Sequence, residues 1–376
     1  MDRFAAYVDL DAIRENVAAL RGRAGTAQVM AVVKADGYGH GMLPVARASV
    51  EAGAEWLGVA FVEEALALRR AGLQVPVLAW LVGPGEDVVG AAEAGVDISV
   101  SAGWGLDEAA AAASVTGRAT RVHLKVDTGL GRAGATEPEW PAMVDAAAKQ
   151  VAEGAVEVVG VWSHLAYADA PGHPTIARQA AAFGQALEIA ERGGLRPQLR
   201  HLANSAATLA LPDTHYDVVR PGVAVYGLSP GPDVGTAAGL GLRPAMTLSA
   251  RLTLAKQVAA DQGVSYGHRY RTTRPTTLAL VPLGYADGVP RHATNVGPVQ
   301  INGKRFTVSG TVCMDQFVVD VGDLAVAAGD EVVLFGPGDR GEPTADDWAA
   351  AIGTINYEIV TRVGPRVPRR YSGGSS

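Results

Sequence analysis

The sequence has 376 residues, of which 48% are hydrophobic and 19% are charged, so a disordered chain is excluded. The length fits two domains, or one large barrel with an addition. A formal net charge of −7 disfavours a nucleic acid as the main partner. Cys313 is the single cysteine, which excludes an intrachain disulfide, and no apolar run approaches the ~18 residues that span a bilayer. The first residues contain no signal-peptide core. We therefore expect a cytoplasmic protein without membrane contact.

The first two-thirds of the chain alternates between short apolar runs and amphipathic stretches of helical period. The apolar runs are AAYVDL, VMAVVKA, WLGVA, VPVLAWL, VDISV, RVHLKV, VEVVGVWSHL, LRHLA and YDVVR. Several of the helical stretches end in Ala-Gly or Gly-Gly, where a helix cap is expected. This pattern predicts parallel strands with helical crossovers, which an open doubly wound sheet and a closed (β/α)8 barrel both satisfy. The count of about eight strands after the first helix favours the α/β barrel of TIM type.

From Met246 onward, the period changes to the alternation and β-branched runs of an antiparallel β domain. Asn302 and Gly303 supply a hairpin turn signal, and a short helix is expected near TADDWAAAIG. We predict a barrel over residues 1–238 and a mostly antiparallel β domain over 239–376. The first strand, within 1–10, could pack with the second domain, and the tail near 372–376 is expected to be disordered.

Two short motifs match known signatures that their surroundings do not support. GLGRAG has the glycine spacing of a dinucleotide-binding turn, but the next helix is expected only near Glu137-Pro138, and Arg132 would point into the turn. GVSYG has the spacing of a nucleophile elbow, but no helical pattern follows it. No Cys/His cluster has metal-ligand spacing, so no metal site is expected.

Lys34 is the first candidate for chemistry, because it closes an apolar strand and precedes the glycine-rich segment DGYGHG. Active sites of barrels lie at this end of the strands. Gly37, Gly39 and Gly41 would let the backbone approach a ligand, and Tyr38 could donate to a phosphate. A desolvated lysine has a lowered pKa and can form a Schiff base. From the residues alone, a lysine that simply extends into solvent from a strand end is equally open.

The segment AVVKADGYGHG resembles the cofactor-lysine motif of the alanine racemase family, which comprises pyridoxal-phosphate (PLP) enzymes built on a (β/α)8 barrel and a C-terminal β domain. Other segments resemble the family in the family's own order, from Lys34 to Val363, so the resemblance covers nearly the whole chain. They are KVDTGLGRAG, WSHLA, HLANSAAT, VRPGVAVYG, VSYGHRY, PLGYADG, TVCMDQFVVDV and INYEIVTRV.

The resemblance implies PLP-dependent interconversion of L-alanine and D-alanine, which supplies D-alanine for peptidoglycan. Lys34 matches the base for the D-enantiomer, and Tyr266 matches the base on the opposite face, contributed by the other subunit of a homodimer with shared sites. His164 matches the histidine that links this tyrosine to Arg220. Arg220 matches the arginine at the pyridine nitrogen, which can only donate and therefore limits carbanion build-up and its side reactions.

The resemblance also assigns cofactor and substrate contacts. Arg132 matches an arginine that reaches the phenolic oxygen of PLP and the substrate carboxylate, and Lys125 matches a lysine that is often carbamylated. The backbone amide of Met314 would hold the substrate carboxylate, with Asp315 beside it and Tyr285 narrowing the entrance. The residues that match phosphate contacts, with Asn204 adjoining them, are Tyr38, Ser205, Gly222, Val223 and Tyr357.

Three other functions compete with this interpretation. A non-catalytic PLP carrier would lack the β domain that bears Tyr266. A decarboxylase of basic amino acids would place an acidic residue at the ring nitrogen, where Arg220 lies here. A serine or broad-range racemase would differ by only a few pocket side chains, so the sequence leaves it open.

Overall fold

The computed structural model describes residues 2–373, and its first two-thirds is an eight-stranded parallel barrel. Neighbouring strands follow one another around the barrel in chain order, and the last strand pairs with the first. The strands are β2 (Gln28–Val32), β3 (Trp56–Val59), β4 (Val77–Ala79), β5 (Asp97–Val100), β6 (Thr120–Lys125), β7 (Val156–Trp162), β8 (Leu199–His201) and β9 (Val218–Val219). The barrel predicted from the alternating pattern is thereby confirmed.

Hydrogen bonds between the ends of β8 and β9 close the barrel. The Asp217 amide donates to the Arg200 carbonyl at 3.0 Å, and the Arg220 amide donates to the Ala203 carbonyl at 2.9 Å. Helices surround the strands: α1 (Leu10–Ala24), α2 (Lys34–Tyr38), α3 (Met42–Glu51), α4 (Val62–Arg70), α5 (Val88–Glu93), α6 (Gly103–Thr116), α7 (Trp140–Ala152), α8 (Pro174–Arg192) and α9 (Ser205–Ala210).

The second part of the chain consists mainly of antiparallel strands, as the alternation from Met246 predicts. Its elements are β10 (Met246–Arg251), β11 (Leu254–Val258), β12 (Gly263–Val264), β13 (Tyr270–Arg271), β14 (Thr276–Val281), β15 (Pro298–Ile301), β16 (Lys304–Thr307), β17 (Phe317–Gly322), β18 (Glu331–Phe335), α10 (Ala345–Ile352), α11 (Asn356–Thr361) and β19 (Arg369–Ser372). Asn302 and Gly303 both have positive φ, 48° and 75°, which the tight turn between β15 and β16 requires.

The first strand of the chain, β1 (Phe4–Asp9), lies in the six-stranded sheet of the second domain, between β10 and β19. It pairs antiparallel with β10 and parallel with β19, so the two ends of the chain are adjacent. Ser372 pairs with Asp9 in this sheet, and the expectation that disorder begins near 372 is wrong at that residue. Residues 374–376 of the expected tail lie outside the described part.

Asn16 connects the first helix to the segment that follows the barrel. Its buried side-chain amide donates to the carbonyls of Val225 (3.1 Å) and Arg243 (2.9 Å), and its oxygen accepts from the Arg243 amide (2.8 Å). Val225 lies in the 3-10 turn Val223–Tyr226, which starts directly after Gly222. A buried side chain of α1 therefore fixes a turn that begins with the predicted cofactor contact Val223 and directly follows another, Gly222.

Within residues 2–373, we find no helix that combines the length and the apolar character needed to cross a membrane.

Substituting Asn16 with alanine is expected to lower the free energy of unfolding by about 2 kcal/mol, because it leaves two carbonyls and one amide without their partners in a buried place. Urea unfolding followed by circular dichroism measures this change. Gln185→Ala removes an exposed amide from α8 and is the matched control, with an expected change within about 0.5 kcal/mol. Equal stability of the two variants would contradict the role of Asn16.

Candidate active site

Lys34 begins an unusual turn at the carboxyl end of β2. Five consecutive residues, 35–39, have positive φ between 50° and 79°, so the chain forms a left-handed turn. Three of them, Ala35, Asp36 and Tyr38, are not glycine, and a left-handed conformation costs such residues about 1 kcal/mol or more each. The surrounding structure has to offset this strain.

Contacts from two other parts of the fold, and from the residue that directly follows it, hold the turn. The Glu64 carboxylate at the start of α4 accepts a hydrogen bond from the Ala35 amide at 2.7 Å. The Arg369 guanidinium of β19 donates to the Gly39 carbonyl at 2.9 Å. The ring of His40, which is fully buried, bonds through Nδ1 to two carbonyls of the turn at 2.9 and 3.1 Å. The conformation of the Lys34 segment is thus determined by tertiary contacts.

Positive charge is concentrated at this end of the barrel. Lys34 Nζ lies 5.8 Å from the ring centre of Trp80, and Lys125 Nζ lies 4.0 Å from that of Trp162. The guanidinium of Arg220 lies 4.8 Å from the same Trp162 ring. The rings of Trp80 and Trp162 therefore lie beside the three cationic side chains.

Burial and mutual repulsion lower the pKa values of this cluster. Burial, then the charge of Arg132, lowers the pKa of Lys34. Burial together with Arg132 and Arg220 lowers the pKa of Lys125 to about 7. His164 has a pKa well below its usual range for the same reasons, and it is therefore neutral at neutral pH. Cationic groups that lower one another's pKa values in this way favour the binding of an anion.

Arg220 is only 4% exposed, and its hydrogen bonds go to neutral acceptors. It donates to the carbonyls of Ser163 (2.8 Å) and Leu202 (3.1 Å), and its terminal nitrogens contact Nδ1 of His201 (3.1 Å) and Nδ1 of His164 (3.4 Å). Burial, then Arg132, lowers the Arg220 pKa to about 9. Within residues 2–373, the Nε–H of Arg220 donates to no protein atom.

The predicted phosphate contacts converge at the ends of β8 and β9. The Ser205 hydroxyl accepts from the amides of Gly222 (2.8 Å) and Ala224 (3.3 Å), whereas the Val223 amide between them donates to no atom of residues 2–373. A side chain at Gly222 would meet the Tyr38 hydroxyl at 2.3 Å, so only glycine permits this approach. Free amides and hydroxyls directed to one place are suited to a phosphate.

Asn204 and Tyr357 take different places around this cradle. The Asn204 side chain caps α9 by accepting from the Ala207 amide at 3.1 Å, so it orders the helix that begins with Ser205. The ring of Tyr357 lies 6.3 Å from that of Tyr38, and burial raises the pKa of both phenols, which keeps them as hydrogen-bond donors.

Tyr266, Met314 and Tyr285 form an exposed patch on the β domain, with exposures of 72%, 53% and 45%. The Tyr285 amide donates to the Cys313 carbonyl at 3.0 Å, and the Thr311 hydroxyl donates to the Tyr266 carbonyl at 2.8 Å, so one network joins the three loops. Tyr266 and Met314 line a hollow of about 480 Å³. Large side chains gathered at a surface in this manner indicate an interaction site.

Arg366 fixes two of these loops to each other. Its guanidinium donates to the Asp315 carboxylate at 2.8 Å and lies 3.1 Å from that of buried Asp287, in an ion pair without hydrogen-bond alignment. Asp287 in turn accepts from the Gly284 amide at 2.9 Å. Within residues 2–373, no hydrogen bond, ion pair or ring contact joins Tyr266 to Lys34.

The GLGRAG segment is a loop and not the start of a helix. The Asp127 carboxylate accepts from the amides of residues 129, 130 and 131 at 2.9 to 3.2 Å, and α7 begins only at Trp140. This loop carries Arg132 toward the barrel opening. GVSYG ends in a single 3-10 turn, Tyr266–His268, with the strand β13 after it, and therefore forms no nucleophile elbow.

The comparisons with known proteins agree with this architecture. The model of the alanine racemase N-terminal domain matches residues 8–230, and that of the alanine racemase C-terminal domain matches residues 245–371. The alanine racemase of Frankia casuarinae is 68% identical over 369 residues, which cover 98% of this chain and 96% of that one. An alanine racemase structure from a D-cycloserine-producing Streptomyces lavendulae has a TM-score of 0.99 and 56% identity, covering 100% of this chain and 98% of that one. A Bacillus anthracis alanine racemase with bound L-Ala-P has a TM-score of 0.90 and 36% identity, covering 99% and 95%.

The chain belongs to the alanine racemase family. It is accordingly an isomerase, and the resemblance seen in the sequence is confirmed.

Alanine racemases depend on PLP, and the residues of this chain fit that group. Lys34 supplies a half-buried amine, while Ser205, Val223 and Tyr38 supply donors for a phosphate at the ends of β8 and β9. A ligand with several negative oxygens would relieve the repulsion among the cations at the barrel opening.

Several residues around this alanine racemase site were not singled out from the sequence. Glu64 accepts from the amide that follows Lys34, Trp80 lies beside the Lys34 amine, and His201 contacts Arg220 from within the quoted segment HLANSAAT. A polar residue at a strand end is the only signal that could have indicated His201. Glu64 and Trp80 carry no local signal, because their roles depend on which loops the barrel brings together.

The Lys125 amine is expected to lose its proton near pH 7 in the cofactor-free protein, because burial and neighbouring cations lower its pKa. The chain has five lysines, so the protein labelled with ¹³C-lysine gives few side-chain signals in an NMR titration. Lys125→Arg identifies the relevant signal. In urea the same lysine should titrate near ~10.4. Identical titrations in the folded and unfolded chains would contradict the assigned environment.

Proposed function

We propose that this protein interconverts L-alanine and D-alanine with PLP as a cytoplasmic homodimer, and that it supplies D-alanine for peptidoglycan. The observation that carries the proposal is the half-buried amine of Lys34 beside donor-only groups at the barrel opening. When bound, PLP withdraws electrons from the Cα–H bond of the attached amino acid, so that a side chain can remove this proton.

Lys34 is the base on one face. Burial and Arg132 lower its pKa, which increases the fraction of neutral amine at neutral pH. As a neutral amine, Lys34 would hold the cofactor and would be the group that accepts the α-proton of D-alanine. The left-handed turn holds this amine at the barrel opening.

Arg220 would hold the ring nitrogen of the cofactor through its Nε–H. A guanidinium can only donate, so it would leave that nitrogen unprotonated. An unprotonated ring would withdraw electrons less strongly, which would limit side reactions. The arginine also disfavours a decarboxylase, which would place an acidic residue here.

Tyr266 of the partner subunit serves as the base on the other face. Ionising a free phenol at pH 7 costs about 4 kcal/mol, so the phenol needs donors and positive charge around it. His164 accepts from Arg220 through Nδ1, which leaves its Nε2–H free to donate to the phenol. The exposure of Tyr266 in one chain supports its completion of a neighbouring site.

The remaining groups would bind and orient the ligands. Arg132 would bind the phenolic oxygen of PLP and the substrate carboxylate. Lys125 has a pKa of about 7, so its neutral amine can add carbon dioxide and release a proton, and the resulting carbamate would hold Arg132 in place. The Met314 amide would hold the substrate carboxylate, with Asp315 beside it and Tyr285 narrowing the entrance. A small pocket favours alanine over larger amino acids, and serine is the closest alternative.

The activity is tested by offering each enantiomer of alanine, and then of serine, to the purified protein with and without added PLP. Optical rotation is expected to decay to zero from either enantiomer of alanine, faster than for serine, and only with PLP. Lys34→Ala should abolish the decay and the near-visible absorbance band of the bound cofactor, whereas Lys256→Ala on β11 should preserve both. Release of carbon dioxide from the substrate would instead indicate a decarboxylase.

Shared sites are tested by mixing Lys34→Ala protein with Tyr266→Phe protein. Random exchange makes half of the dimers mixed, and one of the two sites in each mixed dimer has both bases, so about a quarter of the wild-type activity should return. Native mass spectrometry measures the extent of exchange. Verified mixed dimers without recovered activity would contradict the contribution of Tyr266 across the interface.

A further inference from the structure

A line of buried polar side chains leads from Arg220 through the barrel interior. The Arg220 guanidinium lies 3.1 Å from Nδ1 of His201, Nε2 of His201 lies 2.8 Å from Nδ1 of His123, and Nε2 of His123 lies 3.1 Å from the Asp97 carboxylate. All four residues are less than 5% exposed. They come from β5, β6, β8 and the residue after β9, so the barrel itself assembles the line.

The direction of each hydrogen bond follows from the first. A guanidinium has no acceptor, so Nδ1 of His201 must accept, and the proton of this neutral ring lies on Nε2. That Nε2–H donates to Nδ1 of His123, which must then carry its own proton on Nε2. The last proton is donated to Asp97. One tautomer of each imidazole satisfies the whole line.

Asp97 is held as a carboxylate at the far end. The guanidinium of Arg121 donates to both of its oxygens, at 2.8 and 3.2 Å, and also contacts Glu157 at 3.0 Å. Burial alone would raise the pKa of Asp97, but the hydrogen bonds from His123 and Arg121 lower it. Asp97 therefore supplies a buried negative charge on the side of Arg220 that faces away from the site.

We propose that Asp97, His123 and His201 are positioning residues that hold Arg220 with its Nε–H directed at the ring nitrogen of the cofactor, and that Asp97 is its counter-ion through two imidazoles. This inference rests on the proposed function. A carboxylate in direct contact with Arg220 would accept hydrogen bonds from its guanidinium. The two imidazole rings instead keep the negative charge of Asp97 away from Arg220, so the Nε–H of Arg220 remains free.

Asp97→Asn tests the line, because an amide has one acceptor and one donor. Either the donor faces His123, which reverses both tautomers and sets an imidazole N–H against Arg220, or it faces Arg121. Loss of this support is expected to lower kcat by about tenfold or more, both from L-alanine and from D-alanine. The KM for alanine is expected to change by less than about twofold. Glu157→Gln, one link further out and partly exposed, is the matched control and should stay within about twofold of the wild type.

The tautomers are measured independently in wild-type protein labelled with ¹⁵N-histidine, first without cofactor and then with PLP. Long-range ¹H–¹⁵N spectra should show both rings protonated at Nε2 and unprotonated at Nδ1. His123→Gln and His201→Gln assign the signals. A proton on Nδ1 of either ring, or a doubly protonated ring, overturns the proposal, and this result needs no folded Asp97→Asn protein.

The two proposals fail in different ways. A wild-type protein that does not interconvert the alanine enantiomers overturns the proposed function, whatever the tautomers. A wild-type protein that racemises alanine while Asp97→Asn matches Glu157→Gln in kcat overturns the positioning role. The same holds if Asp97→Asn lowers only the melting temperature, since a merely structural network would do so.

Discussion

The buried guanidinium of Arg220 is the constraint on which the site depends. A cation with so little exposure is costly unless its donors are satisfied, and here two carbonyls and two imidazoles accept from its terminal nitrogens. Because no carboxylate of residues 2–373 contacts it directly, Arg220 adds to the positive field that lowers the pKa of Lys125 and His164. The opening of the barrel, where an anionic cofactor would bind, therefore has more cationic than anionic side chains.

The second domain contributes to the site in two ways. Within one chain, its last strand supports the left-handed turn, since Arg369 of β19 donates to the Gly39 carbonyl, and the sheet of β19 also contains β1. On its outer surface it exposes Tyr266 and Met314 beside a hollow. The same domain therefore supports the turn of its own chain, and under the proposed function its exposed residues would complete the site of a partner chain.

The fold followed from patterns that are local in the chain. Runs of about five apolar residues separated by helical stretches specify parallel strands, and the change of period at Met246 specifies the second domain. The short helix α11 was not anticipated, because the segment INYEIV is apolar enough to suit either a strand or a helix. The motif residues from Lys34 to Tyr357 were identified by resemblance, and the structure gathers those of the barrel around one opening.

The sequence by itself determined the residue types of the site, because lysine, tyrosine and arginine in these motifs are readable without coordinates. Only the tertiary structure decided the left-handed turn after Lys34, the pKa of Lys125 and the line from Arg220 to Asp97. These properties depend on which side chains meet across the barrel, and on how much water they exclude. The spacing of residues along the chain indicates neither these contacts nor the extent of burial.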